Sequence, residues 1–161
     1  MTVYLKQNGR DRVLLIPAHA PKISGKAVHF LFTLGQVKDI FRKEVIRQIP
    51  FAPSWVMGLT RWREKAVPVI CLEDCLGMPF IPSAHPGRMV LIRSREQYAV
   101  LYADTALRLV HLPETSAPPE SVSWISEKNL VRGVYECKEG FLVLADMPGI
   151  LTMRQRRITG E

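Results

Sequence analysis

The sequence predicts an all-β chain with only short helices, arranged as a sandwich or as small barrels. Three observations predict it. Short runs rich in β-branched and aromatic residues recur at intervals of roughly 8–12 residues, the cue for sandwich or barrel strands. Proline-bearing connections divide these runs, at Pro50 and Pro53, at Pro79, Pro82 and Pro86, and at Pro113, Pro118 and Pro119. Helical signals are few and short, and the one longer candidate also reads as strand.

Val13 to Ile16 is an apolar run that ends at Pro17. Val28 to Leu34 alternates, so that Val28, Phe30, Phe32 and Leu34 share one face. Ser24-Gly25-Lys26 is a turn signal, which makes the pair a hairpin. Val37, Ile40, Phe41, Val45 and Ile49 recur at near-helical spacing, so Val37 to Gln48 fits an amphipathic helix. The same residues also split into two short strands, around Val37–Phe41 and Val45–Ile49, and periodicity alone does not decide. Ala66 to Leu72 reads as a strand in which Pro68 implies an edge or a bulge. Leu72 to Leu76 allows one or two helical turns, closed by Gly77. Met89–Ile92 and Tyr98–Ala103 flank a charged tip, Arg93 to Gln97, as a second hairpin. Leu107–Leu112 is a further strand. Val131–Tyr135 opposes Phe141–Ala145 across Lys138-Glu139-Gly140. The tail from Pro148 to Arg157 reads as a helix with Pro148 near its first turn.

A length of 161 residues bounds the chain to one ordinary domain, or to two small subdomains packed together. Hydrophobic residues make up 47%, enough to build a core, which excludes gross disorder. The formal charge of +7 suits nucleic acid, anionic lipid or an acidic protein surface. Much of the excess sits near the ends, in Lys6, Arg10, Arg12, Lys22 and Lys26 and in Arg154, Arg156 and Arg157. That spread serves solubility more than a binding stripe. The first residues lack the apolar region of a signal peptide, and no apolar run approaches the ~20 residues of a membrane span. The expectation is a cytoplasmic protein with no direct membrane insertion. Three cysteines, an odd number, fit a reducing compartment.

The residues of catalysis are missing or scattered. Gly35, Gly58, Gly77 and Gly87 stand alone, without a phosphate loop, and no G-x-S-x-G elbow occurs. Cys71 and Cys75 have no second Cys/His pair at zinc spacing, Cys137 is remote, and His29, His85 and His111 are dispersed. Cys71 falls in an apolar strand, where burial raises a thiol pKa and suppresses reactivity. Asp104 and Asp146 each end a strand. They suit acid–base work as a pair, but a strand-end Asp more often accepts backbone N–H bonds in the following turn. The expectation is a protein that is not an enzyme and holds no cofactor or metal.

Five stretches, in order, resemble the CheW-like domain, the adaptor module of bacterial chemosensory arrays. HFLFTLGQVKDIF (His29 to Phe41) resembles the family's opening hairpin and its V-x-E-I segment, read here as Val37-Lys38-Asp39-Ile40. IPFAPSWVMGL (Ile49 to Leu59) resembles its P-x-A-P stretch with a following glycine. WREKAVPVICLEDCLG (Trp62 to Gly77) resembles L-R-G followed by P-V-I-D-L and L-G. YAVLYADTALRLVHLP resembles the G-L-x-V-D-x-V strand pair, with Asp104 at the Asp position. LVRGV and FLVLADMPGIL resemble the closing I-x-G-V and I-L-D segments. Three positions depart: Glu64 replaces a glycine, Cys71 an aspartate and Arg61 an asparagine. Loss of that glycine removes a residue suited to φ > 0.

The resemblance implies two five-stranded β-barrel-like subdomains packed side by side, and it implies strand for Val37–Phe41. It implies binding to the cytoplasmic tip of methyl-accepting chemoreceptors and to the regulatory domain of a CheA-type histidine kinase, with an apolar groove taking a helical hairpin. Val37, Asp39, Gly58 and Arg63 fall on the family's receptor-facing positions. Asp39 and Arg63 carry opposite charges on neighbouring elements and are candidates to pair. Arg63 also reads as one solvated charge among Arg61–Lys65, and Gly58 as a plain turn or as a point of close backbone approach. Trp62, where the family has an aliphatic residue, reads equally as core or as an aromatic anchor at the rim. An adaptor of a pilus-motility or other non-flagellar system is a rival within the class. A basic small-barrel module for nucleic acid is a rival outside it, disfavoured because aromatics are only 8% and are not interleaved with Lys and Arg.

Overall fold

The computed structural model describes residues 12–42, 44–81, 87–103, 107–112, 117–118 and 121–152. Asp104, His85 and the tail beyond residue 152 lie outside the described residues. The strands are β1 (Arg12–Pro17), β2 (Val28–Thr33), β3 (Val37–Arg42), β4 (Val56–Trp62), β5 (Lys65–Ile70), β6 (Arg88–Ser94), β7 (Gln97–Ala103), β8 (Arg108–His111), β9 (Val131–Cys137) and β10 (Gly140–Ala145). A short helix, α1 (Leu72–Cys75), follows β5, and residues 147–152 form a second, α2.

Two five-stranded sheets result, with orders β8-β1-β2-β10-β9 and β3-β6-β7-β5-β4. The second sheet is inserted whole between β2 and β8 of the first. Each sheet contains one parallel contact, β2 with β10 and β5 with β7. Neither ladder closes into a barrel, but both curl toward closure in the same way. The chain leaving edge strand β3 forms an isolated bridge, Arg47 to Leu59, with the opposite edge β4. The chain leaving edge strand β8 bridges Ala117 to Val134 on the opposite edge β9. Barrel-like subdomains are therefore what the chain builds, with single bridges in place of a full seam.

Alternation along the strands feeds three cores. Val13 and Leu15 of β1 join Leu31, Tyr135 and Leu142 within the first sheet. Val67, Val69, Met89, Leu91 and Val100 pack within the second. The intervening residues, among them Leu14, Ile16, Phe30, Phe32, Ile70, Ile92 and Leu101, form a larger core shared by both sheets. Strands buried on both faces read as continuous apolar runs, which is why β1, β2 and β6 are conspicuous in the sequence. This shared core packs the two sheets against each other.

The structure also departs from sequence expectation. Val37–Gln48 is not a helix: β3 is an edge strand paired with β6, and residues 44–49 contribute only the Arg47 bridge. Leu34 lies in the turn after β2 and is 46% exposed, so it does not share the face of Phe30 and Phe32. Strand β4 replaces the turn read at Gly58. Pro68 is not on an edge, because β5 lies between β4 and β7. Its partner Leu59 directs both backbone groups to Arg47, so the pair is not hydrogen-bonded and the missing N–H of Pro68 faces β7, which pairs with β5 at Val69 alone. The residue at positive φ in the β4–β5 turn is Arg63, at 56°, and not Glu64, so Glu64 carries no penalty for replacing glycine.

Both helix ends follow the sequence. Gly77, at φ 66°, closes α1: its N–H bonds to Asp74 O and that of Met78 to Glu73 O, the paired pattern of a left-handed C-cap. Asp146 caps α2 by accepting Gly149 N–H at 3.4 Å and is held by Arg132 at 3.1 Å. Its place at the end of β10 is thus a structural one.

Candidate functional site

A groove of about 380 Å³ opens between the two sheets. Ile16 of β1 and Phe30 of β2 supply one wall; Ile70, Leu72 and Leu101 supply the other. Met57, Phe80 and Ile81 stand at its mouth and keep 38%, 42% and 58% of their surface exposed, so the entrance stays apolar where water meets it.

A polar latch crosses the groove. Glu73 on α1 accepts the backbone N–H of His19 at 2.7 Å and faces His19 Nδ1 at 3.1 Å. The carbonyl of His19 in turn accepts Ile81 N–H at 2.7 Å. Burial pushes the Glu73 carboxyl up, but the ring and backbone hydrogen bonds from His19 outweigh it and hold the pKa below the ordinary carboxylate range. Beside it, Ser54 donates to Asp74 at 2.7 Å. Burial, reinforced by the Glu73 charge, pushes the Cys71 thiol up to about 12. A thiol so shifted is a poor nucleophile. At neutral pH, Cys71 in the native protein is expected to react with a maleimide at least about tenfold more slowly than after unfolding; labelling as fast as in the unfolded chain would show an activated thiol. Among the described residues no three His, Cys, Asp or Glu side chains gather as metal ligands.

None of the five residues singled out by resemblance lines this groove. Three of them meet elsewhere. Trp62 at the end of β4 donates its indole N–H to Asp39 Oδ2 at 2.8 Å. Strands β3 and β4 are the two edges of the second sheet, so this bond ties edge to edge. Arg63 lies over the Trp62 ring at 4.6 Å. The expected pairing of Asp39 with Arg63 is absent: Asp39 is bound to Trp62 and to Ile40 N–H. Trp62 is half-buried: it packs against Tyr98 at 5.6 Å and borders the core of the second sheet. Val37 is half-buried against the shared core. Gly58 sits at the other end of β4, beside the Arg47 bridge.

The groove latch had no signature in the sequence, since His19 and Glu73 lie 54 residues apart. The second hairpin tip did have one. The tetrapeptide R-x-R-E at Arg61–Glu64 recurs at Arg93–Glu96.

Two curled sheets that share one core and hold an apolar groove between them define a two-sheet β module. Residues 23–155 match the CheW-like domain, and the chain belongs to that family. Its fold is similar to that of the scaffolding protein TtCheW from Thermoanaerobacter tengcongensis, with a TM-score of 0.65 and 18% identity over 84% of each chain. In sequence it is 22% identical over 120 residues to Protein PilI of Pseudomonas aeruginosa, a match covering 72% of this chain. The chain spans 66% of the length of that relative. Among the described residues no helix is long and apolar enough to cross a membrane.

Proposed function

We propose that the chain is a non-catalytic scaffold of the cytoplasm that couples chemoreceptors to a CheA-type histidine kinase. The observation that carries this reading is the apolar groove between the sheets, in a chain of the CheW-like family. A helical hairpin, such as the cytoplasmic tip of a methyl-accepting receptor, presents the apolar face that such a groove takes. Positions outside the groove then set register: Val37, Asp39, Gly58, Trp62 and Arg63 are the receptor-facing set, with the charges on Asp39 and Arg63, and Asp39 fixes the Trp62 ring on which the Arg63 guanidinium rests. The regulatory domain of the kinase, itself CheW-like, is the second partner. Coupling requires only that both be held in one assembly, so that a shift in one biases the other.

The test is capture of a receptor-tip fragment by the full chain. Ile81→Asp, which puts a charge at the groove mouth, is expected to weaken capture about tenfold or more, and Arg63→Ala severalfold, both with the far-UV spectrum unchanged. Capture unaffected by either substitution would overturn the reading. A second reading, an adaptor of a pilus-motility system, is favoured by one observation, the similarity to Protein PilI. Co-purification with one CheA-type kinase rather than another separates the two.

A further inference from the structure

The two hairpin tips of the second sheet are one device built twice. In each R-x-R-E the second arginine stands at positive φ, 56° at Arg63 and 57° at Arg95. In each, the first arginine donates its Nε–H to the carbonyl of the second, Arg61 to Arg63 at 3.0 Å and Arg93 to Arg95 at 2.7 Å. The parallel pairing of β5 with β7 at Val69 and Val100 brings both tips to one end of the sheet. The groove lies toward the other end, at Ile70 and Leu101.

Between the tips, Trp62 and Tyr98 rest on each other, with Arg63 over the first ring and Lys65 and Arg93 at 5.3 and 6.0 Å from the second. Arg61, Arg63, Lys65, Arg93 and Arg95 are all exposed, and none of them has a carboxylate within ion-pair distance among the described residues. Among the described residues Glu64, Glu96 and the Asp39 carboxylate bound to Trp62 offset this charge locally.

Neither turn is served by its arginine. A positive φ suits glycine or asparagine, and an arginine there is strained. The chain keeps a strained arginine twice, at the same end, with its backbone held by another arginine. Such an arrangement has a use for the side chains.

We propose that this end is a docking site for an acidic protein segment, with Arg63 and Arg95 as twin prongs for its carboxylates. The guanidinium fork matches a carboxylate bidentately, and the stacked rings hold one prong in place. Nucleic acid fits less well. Cations already lie over both rings, leaving little open ring face for a base, and the tip glutamates oppose a continuous phosphate run. The inference shares Arg63 and Trp62 with the scaffold reading and goes beyond it: it adds the second hairpin, names the chemistry of the partner and does not depend on the groove.

The test is fluorescence anisotropy of the full chain with a fluorescein-labelled decaglutamate peptide, at low and raised salt. Saturable, salt-sensitive binding is expected. The double substitution Arg63→Gly and Arg95→Gly relieves the strain, so the melting temperature is expected to stay or rise while affinity falls about tenfold. Arg63→Gln with Arg95→Gln carries the same test should the glycine pair fail to fold. A charge-matched control away from the tips, Lys22→Gln with Lys138→Gln, is expected to retain binding, as is Ile81→Asp, so this inference and the groove reading fail separately. Unchanged affinity in the tip variants, an equal loss in the control, or tighter binding of a deoxythymidine decamer than of the peptide would overturn the proposal.

Discussion

Gly58→Ala is expected to destabilise the protein by about 2–4 kcal/mol. The glycine stands at φ 148°, and a Cβ there would lie 2.4 Å from Arg47 O, 2.9 Å from Arg47 C and 2.7 Å from Ile46 Cγ2. The nearest of these, Arg47 O, is a backbone atom and cannot swing aside. Arg47 and Leu59 exchange two backbone hydrogen bonds at 2.8 Å, the bridge that draws the edges of the second sheet together. Pushing Arg47 away sacrifices both bonds, each worth about 1 kcal/mol net, and leaves Gly58's φ strained for alanine as well. Urea denaturation midpoints measure the effect. Gly35→Ala is the control, since nothing lies within 4 Å of its added methyl. A Gly58→Ala protein that unfolds at the wild-type midpoint would refute this account of the closure. The result bears on function too. A loss of partner binding in Gly58→Ala then follows from a loosened β4, whereas the same loss in Arg63→Ala reports a missing contact.

The contrast shows what could be read from the chain and what could not. Strands buried on both sides, such as β1, β2 and β6, announce themselves as apolar runs. Strand β3 did not, because it is an edge with a bulge between Val37 and Asp39. Its inward residues are Val37, Asp39 and Phe41, one of them charged, while Ile40 faces out at 38% exposure. Counting Ile40 as inward is what created the helical period. Strand β4 hid behind Gly58, whose φ is that of a bulge and not of a terminal turn. Asp39 and Arg63 were expected as a pair, but Trp62 was not expected to join them: the indole, and not the guanidinium, takes the carboxylate. The groove was anticipated as a place, but its walls come from β1, β2, β5 and β7, and no local pattern assembles residues so far apart.

The latch across that groove yields the other large effect. Removing Glu73 by substitution with alanine is expected to cost about 3 kcal/mol at neutral pH, because it deletes a buried carboxylate and strands the N–H of His19 that it accepts. Glu73 retains 4% of its surface, so water cannot readily replace the lost acceptor. The same group makes stability depend on pH, and the sign is fixed. Its folded pKa is depressed, by the His19 hydrogen bonds working against burial. The stabilisation is therefore fully present above the unfolded carboxylate value, near 4.3, and is lost as pH falls through the lower folded value. Glu73→Gln keeps the shape but not the ionisation. Its melting temperature is expected to lie below wild type at neutral pH, and the gap is expected to narrow as the pH is taken well below 4.3. A gap that stays constant, or widens in acid, would mean that Glu73 is not held ionised by His19. His19 lies just beyond β1 of the first sheet and Glu73 on α1, which follows β5 of the second, so the bond also spaces the walls of the groove. Loosening it should weaken capture of a helical partner even under conditions where the protein remains folded, since the groove would then lose its preset width before binding begins.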